Sequence, residues 1–211
     1  MNNKLRLLTV FCLLLSSMVA VAQDDDNSNR FNDYIINLKN DTIRCEVMYF
    51  KGPDTNFRLK YRITEGQRAK IMPVDSVIEL FLSRDSSIYI PRLLPRIAKK
   101  TFLKRLEHGK VNLYQKVRSG PSYYVSTFWY AEKDHDSLKQ IKIVLSTLLN
   151  PEVVGSRQER EKAFMGLIAD NPDLLIRFKE ARKSADCSFE LIRYYIKTYN
   201  DEYAESHKTS K

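Results

Sequence analysis

Between Tyr34 and Tyr130 short runs rich in apolar, aromatic and β-branched residues are separated by polar turns, and two of the runs alternate clearly. Phe57-Arg58-Leu59-Lys60-Tyr61-Arg62-Ile63 alternates apolar and basic residues without a fault. Ile43, Cys45, Val47 and Tyr49 take one face of their segment while Arg44 and Glu46 take the other. A period of two puts every apolar side chain on one side only if the backbone is a pleated strand. Between the runs lie Lys39-Asn40-Asp41, Gly52-Pro53-Asp54, Glu65-Gly66-Gln67, Arg84-Asp85-Ser86 and His108-Gly109, compositions that turn a chain. The pattern predicts strands over 34–38, 42–50, 57–63, 77–82, 87–90, 101–106, 110–117 and 122–130, with Ala69 to Met72 pairing back on the third.

After about Asp136 the period changes. Ile141 to Leu149 suits a last strand or a short helix. Ala163, Phe164, Leu167 and Ile168 have helical spacing within Gln158 to Ala169. Asn171-Pro172 breaks that helix, and Pro172 fits the first turn of another carrying Leu174, Leu175, Phe178 and Ala181. Ser188 is placed to cap a final helix, with Glu190 near its positive end and Leu191, Ile192, Tyr195, Ile196 and Tyr199 on its buried side. Strands first and helices last is an α+β order. The expected layout is a mainly antiparallel β-sheet region over 33–150, helices over 151–204 and a fraying polar tail over 205–211.

The N-terminus has another logic. Lys4 and Arg6 are the only charges before Asp24, Leu7 to Leu15 is apolar apart from Thr9, and Ala20-Val21-Ala22 ends the run in small side chains. These are the three parts of a secretory signal, cut between Ala22 and Gln23, with Ala20 and Ala22 as the residues a signal peptidase reads. The 16 residues from Leu7 to Ala22 fall short of the about 20 apolar residues that span a bilayer. Cys12 lies inside the apolar run rather than after it, so lipid attachment is not expected. Residues 1–22 are therefore read as a signal peptide and 23–32 as a disordered mature terminus. The work of the protein then belongs to the periplasm, the outer-membrane periphery or the extracellular space. No later window is long and apolar enough to span a membrane.

The chain carries 35 Lys and Arg against 26 Asp and Glu; without Lys4 and Arg6 the surplus is about +7. That excess favours anionic surfaces, and export turns the expectation from nucleic acid towards lipid headgroups or polysaccharide. Seven cations lie close together, at Arg92, Arg96, Lys99, Lys100, Lys104, Arg105 and Lys110, with only Glu107 opposing them locally. They form either an anionic-surface contact or a solvated strand face and loop. Tyr123, Tyr124, Phe128, Trp129 and Tyr130 either stack on sugar rings or fill a core. An oxidising compartment permits one disulfide between Cys45 and Cys187, and two separate thiols are the alternative.

Catalytic signals are local and few. His108, His135 and His207 belong to no ligand-spaced cluster, so neither a metal nor another cofactor is expected. Asp134-His135-Asp136 reads as an exposed hairpin tip, and Ser119-Gly120-Pro121-Ser122 lacks the strand-turn-helix setting of a nucleophile.

Three segments carry a resemblance. Asp33-Tyr-Ile-Ile-Asn-Leu-Lys-Asn-Asp-Thr-Ile-Arg resembles a Gly-Tyr-Ile-x-x-Leu-x-Gly-Asp-Thr-Ile opening, with Asp33 and Asn40 where glycine is usual. Phe102 to Tyr114 resembles a Leu-x-x-Gly-Lys-Val-x-Leu-Tyr middle. Asp170-Asn-Pro-Asp-Leu, with the stretch from Tyr194 to Asn200, is similar to a helical end closing on Tyr-Asn. Together they resemble a family of exported envelope proteins of Bacteroidota, and Gln23 followed by three aspartates is similar to its mature termini. The resemblance implies compartment and architecture, and carries no activity. The expectation is a non-enzymatic binding or scaffolding module whose partner is an envelope protein, a glycan or an anionic lipid surface. A secreted hydrolase acting on glycan or peptide, and a peripheral membrane-associated protein using the basic stripe, are the alternatives.

Overall fold

The computed structural model describes residues 31–49, 58–95, 100–119, 125–134, 136–144, 153–184 and 187–208. Ten strands precede three helices: β1 Asp33–Asn37, β2 Thr42–Tyr49, β3 Arg58–Arg62, β4 Lys70–Pro73, β5 Val77–Leu82, β6 Ser87–Leu93, β7 Lys100–Glu107, β8 Val111–Ser119, β9 Val125–Lys133, β10 Lys139–Val144, α1 Arg157–Leu167, α2 Pro172–Ser184 and α3 Phe189–Lys208. All strands join one antiparallel sheet in the order β10-β9-β8-β7-β6-β5-β1-β2-β3-β4. Two meanders, β1 to β4 and β5 to β10, are thus stitched together where β1 pairs with β5. The α+β order read from the hydrophobic periods is the architecture found, and β10 makes the described part of the ambiguous segment, Ile141 to Val144, a strand; the rest of that segment lies outside the described residues.

The turns work as their residues require. Asn40 takes a left-handed φ of 67°, and the Asn37 side chain accepts hydrogen bonds from Lys39 N and Asp41 N at 2.8 and 3.0 Å. Asn and Asp thereby do what a glycine turn would do at lower steric cost. Asp33 joins the two meanders: its carboxylate accepts from Val47 N on β2 and from Ser83 N and Oγ at the end of β5. At the far edge, β4 carries Lys70 and Pro73, which discourage a further strand from pairing there.

Each helix starts at a side-chain cap. Ser156 and Glu159 form a reciprocal capping box on α1, Asn171 Oδ1 accepts from Leu174 N at 3.0 Å, and Ser188 Oγ accepts from Leu191 N at 3.1 Å. The polar piece expected to fray from Glu205 instead completes α3 as far as Lys208. Tyr199, Tyr203 and His207 stack along one side of the helix, with Tyr203 and His207 4.0 Å apart, so the final turn is held by ring contact.

The helices cover one face of the C-terminal strands. Val111, Leu113, Trp129, Ala131 and Ile141 meet Phe164, Leu174, Phe178, Ile192, Tyr195 and Ile196 there. Trp129 stacks on Phe189 at 4.4 Å, and Phe178 meets Phe164 and Tyr195 edge-on. The opposite face buries Ile90, Leu103, Tyr114, Phe128 and Tyr130, and the first meander has its own core around Ile35, Cys45, Leu59 and Leu80.

One tie between helix and sheet is polar. Pairing between β7 and β8 ends at Glu107 opposite Leu113, so the backbone of Val111 lies past the last β7 partner. The Asn200 side chain on α3 takes the place of a strand: its Oδ1 accepts from Val111 N and its Nδ2 donates to Val111 O, both at 2.8 Å. Gly109 makes room, since a Cβ there would stand 2.5 Å from Asn200 Cγ. On either side, Arg193 pairs with Glu107, and Tyr199 donates to Asp170, which also binds Lys133. Burial would raise the Asp170 carboxyl, but the bonds from Lys133 and Tyr199 outweigh it and hold the group below the usual range.

This contact predicts a coupled pair of substitutions. Gly109→Ala should cost about 1–3 kcal/mol through overpacking, and Asn200→Ala about 1–3 kcal/mol through two unanswered backbone groups. Urea unfolding of the double variant should show a loss clearly smaller than the two added together, because deleting Asn200 also removes the clash.

Candidate functional site

The basic run named from the sequence acquires partners that the sequence hides. Arg92 pairs with Glu132 at 2.7 Å, Lys100 with Asp75 at 3.6 Å, Lys104 with Asp85 at 3.5 Å, Arg105 with Glu79 at 3.4 Å and Lys110 with Asp134 at 2.6 Å. Pairing across strands brings in these carboxylates, so the five described members do not form an uncompensated cationic stripe. Arg96 and Lys99 lie outside the described residues, as do Ala20, Ala22, Gln23, His135, Tyr123 and Tyr124. Phe128, Trp129 and Tyr130 are buried, which spends them on the core. Cys45 and Cys187 are separate buried thiols in different apolar clusters.

Behind the sheet, on the face away from the helices, Arg92, Tyr114 and Glu132 close a polar knot. Tyr114 Oη donates to Glu132 Oε1 at 2.6 Å, Arg92 holds both carboxylate oxygens, and its Nη2 donates to Tyr114 Oη at 3.0 Å. Burial, reinforced by the bond to Glu132, pushes the Tyr114 hydroxyl well above the ordinary phenol value. Nearby, Asn112 Oδ1 lies 2.8 Å from His108 Nδ1, and Gln140 binds Tyr130 Oη and Val154 N. These groups answer one another inside the protein. Their role is to pin β6, β8 and β9 in register, as satisfied buried networks do.

A different arrangement lies between β10 and α1. A cavity of about 260 Å³ is lined by Ile141, Lys142, Ile143, Arg157, Arg160, Glu161 and Cys187. Its polar walls are fixed in place. Lys142 Nζ donates to the Cys187 carbonyl at 2.5 Å, and Arg160 donates to the carbonyls of Gly155 and Val154 at 2.6 and 3.3 Å. Glu161 is 7% exposed. Arg182 lies against its Oε1 as an ion pair, yet no N–H is directed at that oxygen in hydrogen-bonding geometry. Burial, and next the Glu161 charge, raise the Cys187 thiol, while Lys142, Arg182 and Arg157 pull the other way. Cys45, in the first meander, is pushed up to about 12 by burial and by Asp33. A thiol raised by burial is a poor nucleophile.

Beyond the helix-covered part of the sheet, Val117, Thr127 and Val144 form a row across β8, β9 and β10 with both valines about half exposed. Among the described residues no group of three or more His, Cys, Asp and Glu comes together to hold a metal, and no helix is long and apolar enough to cross a membrane.

The polar knot predicts a pattern in stability. Glu132→Leu strands Arg92 and should cost about 3 kcal/mol in urea unfolding, whereas Glu132→Leu with Arg92→Met should recover most of that loss. Set against known proteins, the chain matches no family model, no curated protein and no solved structure.

Proposed function

We propose that the protein is an exported bacterial protein, mature from Gln23, that acts as a non-enzymatic binding or scaffolding module in the cell envelope or outside it. The export half of the reading draws on the charged, apolar and Ala-x-Ala parts of residues 1–22. The binding half draws on one observation above the others. The cavity beside β10 has charged walls anchored to backbone carbonyls, and its thiol is raised rather than activated. Anchored polar groups in a concave site favour retention of a ligand at small entropic cost. The half-exposed valine row on the same sheet gives a scaffolding role an apolar contact surface. The peripheral-membrane alternative loses support from the five ion pairs of the basic run.

Export is tested by producing the full chain with a C-terminal tag in a bacterial host and measuring the intact mass of each cell fraction. The reading expects the chain from Gln23 outside the inner membrane, and retention of the leader in Ala20→Arg with Ala22→Arg. A full-length product, still carrying its first residue, in the cytosol of wild-type cells would overturn it.

A further inference from the structure

The first meander turns an uncovered face outward. Cys45, Leu59 and Tyr61 enter its core, so the period of two sends Arg44, Glu46 and Met48 of β2, with Lys60 and Arg62 of β3, to the other side. Lys60 stands opposite Ile71 of β4, which therefore shares that side, and Arg62 stands opposite Glu46. Met48 is 46% and Ile71 59% exposed, and the Arg44 and Lys60 side chains are exposed with them. Glu46 is taken by Arg62 as an ion pair. Among the described residues no carboxylate pairs with Arg44, with Lys60 or with Lys70, which is exposed at the sheet edge beside Ile71. These three cations are separate from the run between Arg92 and Lys110, whose described members are held in ion pairs.

Two long apolar side chains standing among unopposed cations narrow the partner. A second copy would set Arg44 and Lys60 against their like. An added strand is discouraged by Pro73 on β4. A glycan is gripped by open aromatic faces, whereas Tyr34 and Phe81, the aromatic pair farther along this side, are stacked on each other at 5.1 Å. An anionic bilayer takes both features at once, apolar side chains among its acyl chains and cations among its headgroups. We infer that the β2–β3–β4 face docks on an anionic lipid surface. Met48 and Ile71 enter the boundary between headgroups and acyl chains, and Arg44, Lys60 and Lys70 meet the lipid phosphates. The surplus of 35 Lys and Arg over 26 Asp and Glu in the chain draws it the same way. The assignment adds a partner to the exported module and takes nothing from the cavity, so its failure would leave that reading standing.

The test floats the mature chain with vesicles of phosphatidylcholine alone and of phosphatidylcholine mixed with phosphatidylglycerol, at low and at high salt. The assignment expects partition to the anionic vesicles only, weakened by salt through screening. Arg44→Gln with Lys60→Gln should lower that partition about thirtyfold, from about fivefold for each cation removed near the surface. Met48→Ser with Ile71→Ser should lower it at both salt concentrations, and Ile176→Ser, at an exposed apolar position on α2, should leave it unchanged. The four substituted side chains of the face are exposed, and the urea midpoint of each variant separates lost docking from lost folding. Absence of partition, equal partition to both vesicle types, or partition unchanged in both double variants overturns the docking. Binding to soluble polygalacturonate and not to vesicles, lost in Arg44→Gln with Lys60→Gln, overturns the lipid in favour of a glycan. A wild-type dimer in sedimentation that Met48→Ser with Ile71→Ser makes monomeric overturns it in favour of a second copy.

Discussion

A single amide fixes how the two halves of this fold meet. Asn200 offers Val111 an acceptor and a donor in the spacing of a neighbouring strand, at the point where β7 has stopped pairing. Backbone polar groups removed from water must be answered, and a side chain that answers both fixes the helix in translation and rotation. The absence of a side chain at Gly109 is the condition for that approach. Once α3 is so placed, Phe189 falls on Trp129 and Tyr195 on Phe178, and Phe178 carries the contact to Phe164 on α1. The cavity between α1 and β10 is bounded by elements that share this apolar cluster, with α1 also packed directly on β10.

Three segments, Asp33 to Arg44, Phe102 to Tyr114 and Asp170 to Leu174 with Tyr194 to Asn200, are spent largely on such joints. Asp33 ties β2 to β5, Gly109 and Val111 receive Asn200, and Asp170 receives Lys133 and Tyr199. Residues committed to joints are poorly free to engage a ligand. The cavity residues Lys142, Arg157, Arg160 and Cys187 lie outside those segments, so these joints and the cavity are carried by different parts of the chain.

Much of the architecture was legible because its causes are local. Alternation over 57–63 marks a strand whatever lies beside it, and Pro172 and Ser188 mark helix starts by backbone chemistry alone. The Ser156–Glu159 capping box was also written in the sequence, and it starts α1 one residue before the position that apolar spacing suggested. What local reading lacks is the partner across the sheet. The run from Arg92 to Lys110 looked barely opposed because Glu132 lies 40 positions from Arg92. The cavity was illegible for the same reason: its walls come from β10, α1 and the segment before α3. Seen singly, Lys142, Arg157 and Cys187 are an edge-strand lysine, a first-turn arginine and a buried thiol.

The account stands on the Asn200 clamp being closed in the folded protein and opening only when sheet and helices separate. Amide hydrogen exchange at Val111 reads this directly, because that N–H has a side-chain acceptor where a strand would otherwise supply one. The clamp predicts that Val111 exchanges only through global unfolding, with the same free energy and denaturant dependence as the interior amides of β8 and β9. Exchange at Val111 through local opening, while those interior amides stay protected, would contradict it.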